Sequence, residues 1–173
     1  MTEGHGFGEQ GFGQQGVGEQ RFTGTNRFRM YPSDEYVGAE SDAVLREVAD
    51  GCGHSLEYSW MHPTDGPQRG VLLFGRPADD GVVTACLLDS WHQRSGPVTL
   101  RGVERHGRVE VGYEYGGGWG WLIDVGPTSQ GWSMTMSNVI PPDADGLAEG
   151  AYEVMVAAWD ARLSTSGAVD SDL

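Results

Sequence analysis

The sequence contains no lysine, and its 11 basic residues, all arginine, stand against 25 acidic residues. The absence of lysine excludes a Schiff-base lysine and the lysine of a phosphate-binding P-loop. The formal net charge of −14 disfavours nucleic acid and anionic membrane surfaces, because binding to phosphate groups needs clustered positive charge. We therefore expect neither nucleic acid nor a membrane as a partner.

Cysteine and long apolar runs are also scarce. Cys52 and Cys86 lie far apart and in no CxxC or metal-ligand spacing, so we expect two buried or half-buried thiols without a disulfide. No apolar run approaches the roughly 20 residues that a membrane span needs. The N-terminal MTEGHGFGEQ has neither the basic nor the apolar region of a signal peptide. A cytoplasmic protein is the expectation from these absences.

The length of 173 residues, 38% of them hydrophobic, predicts a single domain. Within residues 1–18 the repeats GFGEQ, GFGQQ and GVGEQ cannot bury enough apolar area to offset the entropy cost of ordering, which predicts a flexible tail. An arm that docks through Phe7 and Phe12 is the alternative. The polar stretch 164–173 predicts a second flexible tail, so the folded domain is expected over residues 19–163.

Helix signals are nearly absent from this domain. Residues 41–50 are compatible with a helix, but they also alternate as a strand does. The rest consists of short segments separated by Gly, Pro, Asp and Asn, which is typical of antiparallel hairpins. About ten strands are predicted, at 19–30, 38–48, 53–62, 69–76, 82–92, 97–104, 108–115, 119–125, 131–140 and 151–161.

One short turn assigns side chains to the two faces of its hairpin. A two-residue turn at His106 and Gly107 pairs Arg105 with Arg108. With that register, valine, leucine and tyrosine fall on one face of the hairpin, and threonine, arginine and glutamate fall on the other. The clean division between apolar and polar faces supports the register.

The three glycines at 116–118 define the next hairpin. A three-residue loop there places Tyr113 opposite Trp121 and Tyr115 opposite Trp119, so that all four aromatic side chains share one inner wall. Glycines suit a turn that needs positive φ.

The same alternation continues on the other predicted strands. Ten strands with one wet face and one apolar face are most economically closed as an antiparallel up-and-down β-barrel, which also removes the sheet edges. A two-sheet sandwich is the alternative. The side chains expected inside include Phe22, Asn26, Phe28, Met30, Leu56, Tyr58, Trp60, Trp132, Met134, Met136 and Asn138.

Segment 82–92 is apolar on both faces, so its orientation depends on the length of the turn that follows. An even-length turn at QRSG places Asp89 and Trp91 inside, with Ser90 and His92 facing outward or at the rim. An odd-length turn reverses these positions.

The runs EYSWMHPTDGPQRGVLLFGRP, TACLLDSWHQ, YGGGWGW and MTMSNVIPP resemble an uncharacterised bacterial family of lipocalin-like (calycin) β-barrels. The resemblance covers most of residues 19–160, and LDSWH at 88–92 and GWGW at 118–121 are its most specific parts. It implies a barrel with a central cavity and supplies little chemistry. Related calycin-like barrels include fatty-acid-binding proteins, haem-binding nitrobindins and cyclases of specialised metabolism.

The sequence lacks the motifs of the haem-binding nitrobindins. Gly18, Phe22 and Gly24 replace their first-strand Gly-x-Trp-x-Gly pattern, and no histidine follows His106, whereas that group has its haem ligand late in the chain. HxH and HExxH spacings are also missing. We therefore expect no cofactor and no metal.

The aromatic inner face predicts a ligand cavity. Tyrosine and tryptophan exceed what a dry core prefers, because each carries a polar group that needs a partner, and two asparagines face the same interior. A filled core is the alternative. The expected ligand is a small apolar or aromatic molecule, and the candidate binding residues are Asn26, Tyr58, Trp60, His62, Trp91, Tyr115, Trp119, Trp121, Met136 and Asn138.

Asp89 is the candidate for catalysis. A carboxylate inside a barrel costs several kcal/mol unless it is paired, and otherwise its pKa rises. Asp89 as general acid or base, with Tyr113 as an electrophilic donor, would suit a cyclase- or isomerase-type enzyme of specialised-metabolite biosynthesis. The alternatives are a structural carboxylate bonded to Trp, Tyr or Arg76, and a packed barrel that acts through its surface. Formation of a homodimer is left open.

Overall fold

The computed structural model of this chain describes residues 18–92, 96–142, 144 and 146–161. The predicted tails, 1–18 and 164–173, lie outside the described residues except for Gly18. None of the described residues forms a helix of the length and apolarity that crossing a membrane requires. The strands are β1 (Gln20–Phe28), β2 (Val37–Val48), β3 (Gly53–His62), β4 (Gly66–Gly75), β5 (Val82–Asp89), β6 (Val98–Arg105), β7 (Arg108–Gly116), β8 (Trp119–Pro127), β9 (Gly131–Ile140) and β10 (Gly150–Ala161).

These ten strands form one closed antiparallel barrel. Each strand pairs with its neighbours in sequence, and β1 pairs with β10 to complete the ring. The predicted up-and-down barrel is confirmed, and the sandwich is excluded because a single sheet closes on itself. Residues 41–50, compatible with a helix by sequence, lie mostly in β2, where Ala43 and Leu45 alternate into the core at the period of two that a strand requires.

Alternation along the strands fills the barrel with apolar side chains. Phe22, Leu56 and Trp132 lie on inner faces, as the sequence predicts. The middle of the barrel holds side chains that are almost completely buried: Leu56, Leu72, Leu87, Leu100, Val111, Ile123, Met134, Met136 and Met155. The outer faces are polar, apart from exposed leucines such as Leu73 and Leu88.

The register of the β6–β7 hairpin is the predicted one. Arg105 pairs with Arg108 across the turn, and His106 and Gly107 adopt positive φ angles of 53° and 75°. The inward positions of β7 therefore begin with Val109, which is buried.

The β7–β8 hairpin differs from prediction at one pair. Tyr113 lies opposite Trp121 as expected, but Trp119 lies opposite Gly116 rather than opposite Tyr115. The physical reason is a bulge: the glycines at 116–118 all adopt positive φ, and the ladder skips one residue of β7. The expected pairing of Tyr115 with Trp119 is thus wrong, and the Tyr115 side chain is 50% exposed.

Both cysteines are free, as expected. Cys86 is half-buried on β5, whereas Cys52 is exposed in the turn between β2 and β3. The expectation of a buried or half-buried Cys52 is wrong, because Cys52 lies outside the strands, in a turn that leaves its side chain exposed.

The two ends of the barrel differ in what they carry. We call the upper end the one at which β1, β3, β5, β7 and β9 finish, and the lower end the one at which they begin. Asp89 ends β5 and His62 ends β3, so both belong to the upper end. The candidate site is built there.

Candidate functional site

Asp89 places a buried carboxylate at the upper end of the barrel. Its Oδ2 accepts hydrogen bonds from Tyr58 Oη and Trp60 Nε1, both at 3.0 Å. Its Oδ1 accepts the backbone N–H groups of Trp91 at 2.9 Å and His92 at 3.0 Å. The carboxylate is therefore held by Trp and Tyr donors, as in the structural alternative for this residue.

Gly70 of β4 explains how the Tyr58 ring reaches Asp89. Gly70 pairs with Tyr58 on one side and with Asp89 on the other. A Cβ at position 70 would overlap the Cζ and Oη atoms of Tyr58. Glycine inside a strand commonly marks such a close approach. Here the absence of a side chain at Gly70 leaves room for the Tyr58 ring to pass over β4 and reach Asp89.

The contacts of Asp89 and Tyr58 determine the ionisation of both side chains. Burial raises the pKa of Asp89, but the hydrogen bond and electrostatic attraction from His92, with the backbone N–H groups, outweigh it and hold the pKa below its ordinary value of 3.8. Burial and the neighbouring carboxylate raise the pKa of Tyr58 well above 10. Asp89 is thus an ionised carboxylate. Arg76, expected as a partner, lies instead at the lower end near Gly51.

His92 turns inward over the end of β5. Its Nδ1 lies 3.3 Å from Asp89 Oδ1, and its side chain is 11% exposed. The sequence placed His92 outward or at the rim, but β5 ends at Asp89, so strand alternation no longer governs the next residues. Because an ionised carboxylate only accepts hydrogen bonds, the neutral His92 ring carries its proton on Nδ1 and its lone pair on Nε2.

Aromatic rings pack together above this carboxylate. The ring of Trp91 stacks on His62 with centroids 4.7 Å apart and meets His92 edge-on at 4.5 Å. The His92 ring lies 4.5 Å from Trp121. We call the ring cluster the set Phe28, Trp60, His62, Trp91, His92 and Trp121.

His62 has the opposite tautomer to His92. Its Nδ1 accepts the backbone N–H groups of Thr64 at 3.3 Å and Asp65 at 3.0 Å. The Asp65 carboxylate lies 3.4 Å away from the same nitrogen but already accepts the indole N–H of Trp91 at 2.6 Å. Two donors aimed at Nδ1 place the proton of the neutral ring on Nε2. The ring cluster therefore contains one histidine that offers an N–H and one that offers a lone pair.

Four buried side-chain nitrogen atoms have no hydrogen-bond partner within the described part of the chain. Three belong to the ring cluster: Nε2 of His62, Nε2 of His92 and Nε1 of Trp121; the fourth is Nδ2 of Asn26. Buried polar groups in folded proteins are nearly always paired, and each unpaired one costs about 1–3 kcal/mol. Two of the four, Nε2 of His92 and Nε1 of Trp121, belong to residues that line one pocket, which marks the upper end as the candidate site.

A pocket of about 420 Å³ opens at this end of the barrel. Its volume lies within the roughly 300–1,000 Å³ that is common for small-molecule sites. Its wall is mostly aromatic or apolar and consists of Met30, Tyr31, Trp91, His92, Tyr115, Trp119, Trp121, Asn138, Leu147, Tyr152 and Val154.

A chain of hydrogen bonds fixes one side of this wall. Tyr115 Oη donates to Asn138 Oδ1 at 2.6 Å, and Asn138 Nδ2 donates to Tyr152 Oη at 3.2 Å. Tyr152 Oη in turn donates to the carbonyl of Met30 at 3.0 Å. Partial burial raises the pKa of Tyr115. The amide of Asn138 is thus held in place, and the polar groups of this side already have partners.

Two further grooves lie on the barrel, one larger than this pocket and one smaller. One of about 560 Å³ lies between β1, β2 and β10, and one of about 170 Å³ crosses β2, β3 and β4. Both are lined mainly by outward-facing side chains, and neither borders a residue of the ring cluster. We therefore take the upper-end pocket as the candidate site.

The structure brings together some of the residues that the sequence predicts as ligand-binding. Those that line the pocket are Trp91, Tyr115, Trp119, Trp121 and Asn138. Those that are buried away from its wall are Asn26, Tyr58, Trp60, His62 and Met136. Asn26 Oδ1 accepts the backbone N–H of Met61 at 3.2 Å. Tyr113 is half-buried, with its ring 6.0 Å from that of Tyr115.

Sequence reasoning missed several wall residues. Tyr31 and Leu147 lie in loops, where alternation gives no signal. Val154 is the extra residue of a bulge in β10, between Glu153 and Met155, where the alternation shifts. Gly70 did carry a signal, because a glycine at an inward strand position indicates a bulky neighbour.

No group of three His, Cys, Asp or Glu side chains in the described ranges is placed to hold a metal ion. No protein-family model matches the chain, and no curated protein matches it. The resemblance to lipocalin-like barrels therefore stays a prediction, and function has to be inferred from the pocket.

Proposed function

We propose that this barrel binds a small, largely apolar or aromatic molecule in the pocket at its upper end. The supporting observation is that His92 and Trp121, which both line the aromatic pocket, each carry a buried ring nitrogen without a partner among the described residues. A flat ligand would pack against the rings, and its polar atoms would pair with these nitrogens.

The proposed site occupies the mouth and not the whole barrel. Below the ring cluster the interior is filled by fully buried side chains such as Leu56, Leu100 and Ile123. The packed-barrel alternative thus describes the lower part of the molecule, and the ligand-binding proposal describes the upper part. A closed up-and-down barrel with its site at one mouth also supports membership of the lipocalin-like (calycin) group, which we include in the proposal.

An enzyme that uses Asp89 itself as general acid or base has less support. Its two oxygens already accept four hydrogen bonds, and its pKa lies below the ordinary value. Tyr113, the candidate electrophile, is not among the residues that line the pocket.

Binding is tested by titration with the neutral fluorophore N-phenyl-1-naphthylamine. We expect saturable enhancement of its emission with quenching of tryptophan fluorescence. Trp119→Ala removes one aromatic wall and should raise the Kd about tenfold, equivalent to about 1.4 kcal/mol. Leu122→Ala is the matched control, because Leu122 lies on the same strand but is exposed outside the barrel. No saturable signal, or equal effects of the two variants, would contradict the proposal.

A further inference from the structure

The pair of His92 and Asp89 has the geometry of a proton-transfer centre. Asp89 Oδ1 lies 3.3 Å from His92 Nδ1, which leaves the lone pair on Nε2. A carboxylate in this position orients the imidazole and stabilises the positive charge that develops when the ring takes up a proton. Nε2 is buried and pairs with none of the described residues.

Trp121 supplies a hydrogen-bond donor beside this base. Its ring lies 4.5 Å from that of His92, its indole N–H is buried without a partner within the described chain, and both rings line the pocket. A base and a donor on adjacent rings fit a substrate in which an acidic C–H and an oxygen lie close together. A carbon next to a carbonyl group has this arrangement.

We propose that the pocket is an active site in which His92 removes a proton from a carbon next to the carbonyl group of a flat, largely apolar substrate. The proposal rests on the binding pocket proposed above. The C–H electron pair forms a carbon–carbon double bond, and the carbonyl π pair moves to the oxygen, which accepts the N–H of Trp121. In a substrate with a C=C bond beside the deprotonated carbon, the protonated His92 then returns the proton to the far carbon of that bond. The electron pair on the oxygen re-forms the carbonyl, so that the C=C bond has moved one position. The product is an isomer, so no oxidant, reductant or second substrate is consumed.

Asp89 is a positioning residue in this scheme. Its remaining hydrogen bonds, from Tyr58, Trp60 and two backbone N–H groups, keep it fixed and ionised beside His92. Because His92 Nε2 is out of contact with solvent, water does not compete for its lone pair. We expect the Trp121 ring, which packs against His92, to tilt just enough for the substrate to enter between the two rings, with its indole N–H still directed at the substrate oxygen.

The probe for this activity is 5-nitrobenzisoxazole, a flat aromatic carbon acid. When a base removes its ring C–H proton, the C–H electron pair forms a nitrile, the N–O bond breaks, and the electrons leave on a coloured phenolate oxygen. The reaction needs only a base and a donor to the departing oxygen. We expect saturable ring opening at least about a hundredfold faster than with free imidazole at equal base concentration, as is typical of a positioned base.

Two variants of His92 and one control locate the base. His92→Asn keeps an amide N–H near the place of Nδ1 for Asp89 but has no basic nitrogen, and His92→Gln is a second base-free variant. His106→Gln is the matched control, because His106 is an exposed histidine in the β6–β7 turn. The base-free variants should lose the catalysed rate while still binding the probe, and His106→Gln should keep it. Asp89→Asn, where folded, should lower kcat and leave KM nearly unchanged.

The other outcomes distinguish a failure of proton transfer from a failure of ligand binding. If the wild-type protein binds the probe, as shown by tryptophan quenching, but is no faster than imidazole, proton transfer is overturned and the binding pocket stands. A wild-type rate in His92→Asn or His92→Gln overturns His92 as the base. If no quenching occurs, the binding pocket fails, and this proposal fails with it. Should neither base-free variant fold, the comparison of wild type with imidazole decides.

Discussion

Trp159 and Trp121 are two buried indoles of the same barrel with opposite hydrogen bonding. The indole N–H of Trp159, towards the lower end, donates to Ser41 Oγ at 2.7 Å, and Ser41 Oγ donates to the carbonyl of Ser59 at 2.6 Å. The indole N–H of Trp121, at the upper end, pairs with no described residue. The first arrangement is complete within the fold, whereas the second lacks a partner among the described residues.

The same contrast separates two neighbours at the upper end. Asp89 has every oxygen engaged, while the Nε2 atom of the adjacent His92 has no partner in the described structure. Buried polar groups whose hydrogen bonds are all made keep a site rigid, whereas unpaired polar groups beside a pocket are free to bind a ligand. In the proposed site, Asp89 is a group of the first kind and is in contact with His92, a group of the second kind.

The largest effect on stability is expected at Asp89, the centre of the buried hydrogen-bond network. Asp89→Asn removes the charge that four donors and His92 surround, and should lower the free energy of unfolding by about 3 kcal/mol. Asp124→Asn is the control, because the Asp124–Arg108 pair is on the outer face and should contribute only about 0.5 kcal/mol. Urea denaturation measures both. Equal losses would mean that the buried network adds nothing beyond a surface pair.

A smaller loss of stability is expected when an added Cβ fills the space that the Tyr58 ring occupies. Gly70→Ala puts a Cβ where the Tyr58 ring lies and should cost about 2 kcal/mol through overpacking. Gly38→Ala is the control, because nothing lies closer than 3.7 Å to a Cβ built there. Thermal unfolding of the two variants provides the comparison. A Gly70→Ala protein as stable as Gly38→Ala would show that the ring does not depend on this space.

The two indoles are compared directly by the same substitution. Trp159→Phe should cost about 1–2 kcal/mol more than Trp121→Phe, because only the former breaks a hydrogen bond, while the loss of volume is similar. Affinity for N-phenyl-1-naphthylamine should change in the other order, with Trp121→Phe the weaker binder. Denaturation and titration of both variants test the assignment. Identical behaviour in both assays would remove the distinction between the two ends.

The smallest effect concerns pH. The folded-state pKa of Asp89 is depressed below 3.8, so its contribution to stability is complete above that value and is lost only as pH falls through the folded pKa. The stability difference between wild type and Asp89→Asn should therefore not shrink by more than about 0.3 kcal/mol between pH 7 and pH 5. Parallel urea titrations at these pH values measure the difference. A marked loss of the difference in that interval would mean that the carboxyl is not held ionised.

The barrel could be predicted because period-two alternation repeats on nearly every segment and short turns fix the register. The pairing of Arg105 with Arg108 follows from turn length alone, whereas the predicted pairing of Tyr113 with Trp121 holds because a bulge in β7 compensates for a shorter turn. The error at Tyr115 arose because three glycines admit either a longer loop or a bulge, and sequence alone does not choose between them.

The site was less predictable because it lies where strands end. The inward position of Asp89 was one of two alternatives that depended on the length of a turn, and His92 is three residues further on, in a turn held by the backbone bonds to Asp89 itself. The unpaired state of a ring nitrogen depends on every neighbour in three dimensions, and no spacing in the sequence encodes it. The sequence pattern thus indicated Asp89 and its tyrosine and tryptophan donors as candidate residues, but it did not indicate His92 as a base.

Closure between β1 and β10 makes folding depend on the two most distant strands of the chain. Such long-range pairing slows folding, and until it occurs β1 and β10 present unpaired backbone to any neighbouring molecule. A second, incompletely folded chain can then donate its own last strand to the open seam. Strand exchange between nascent copies is accordingly the misassembly to which this topology is most exposed.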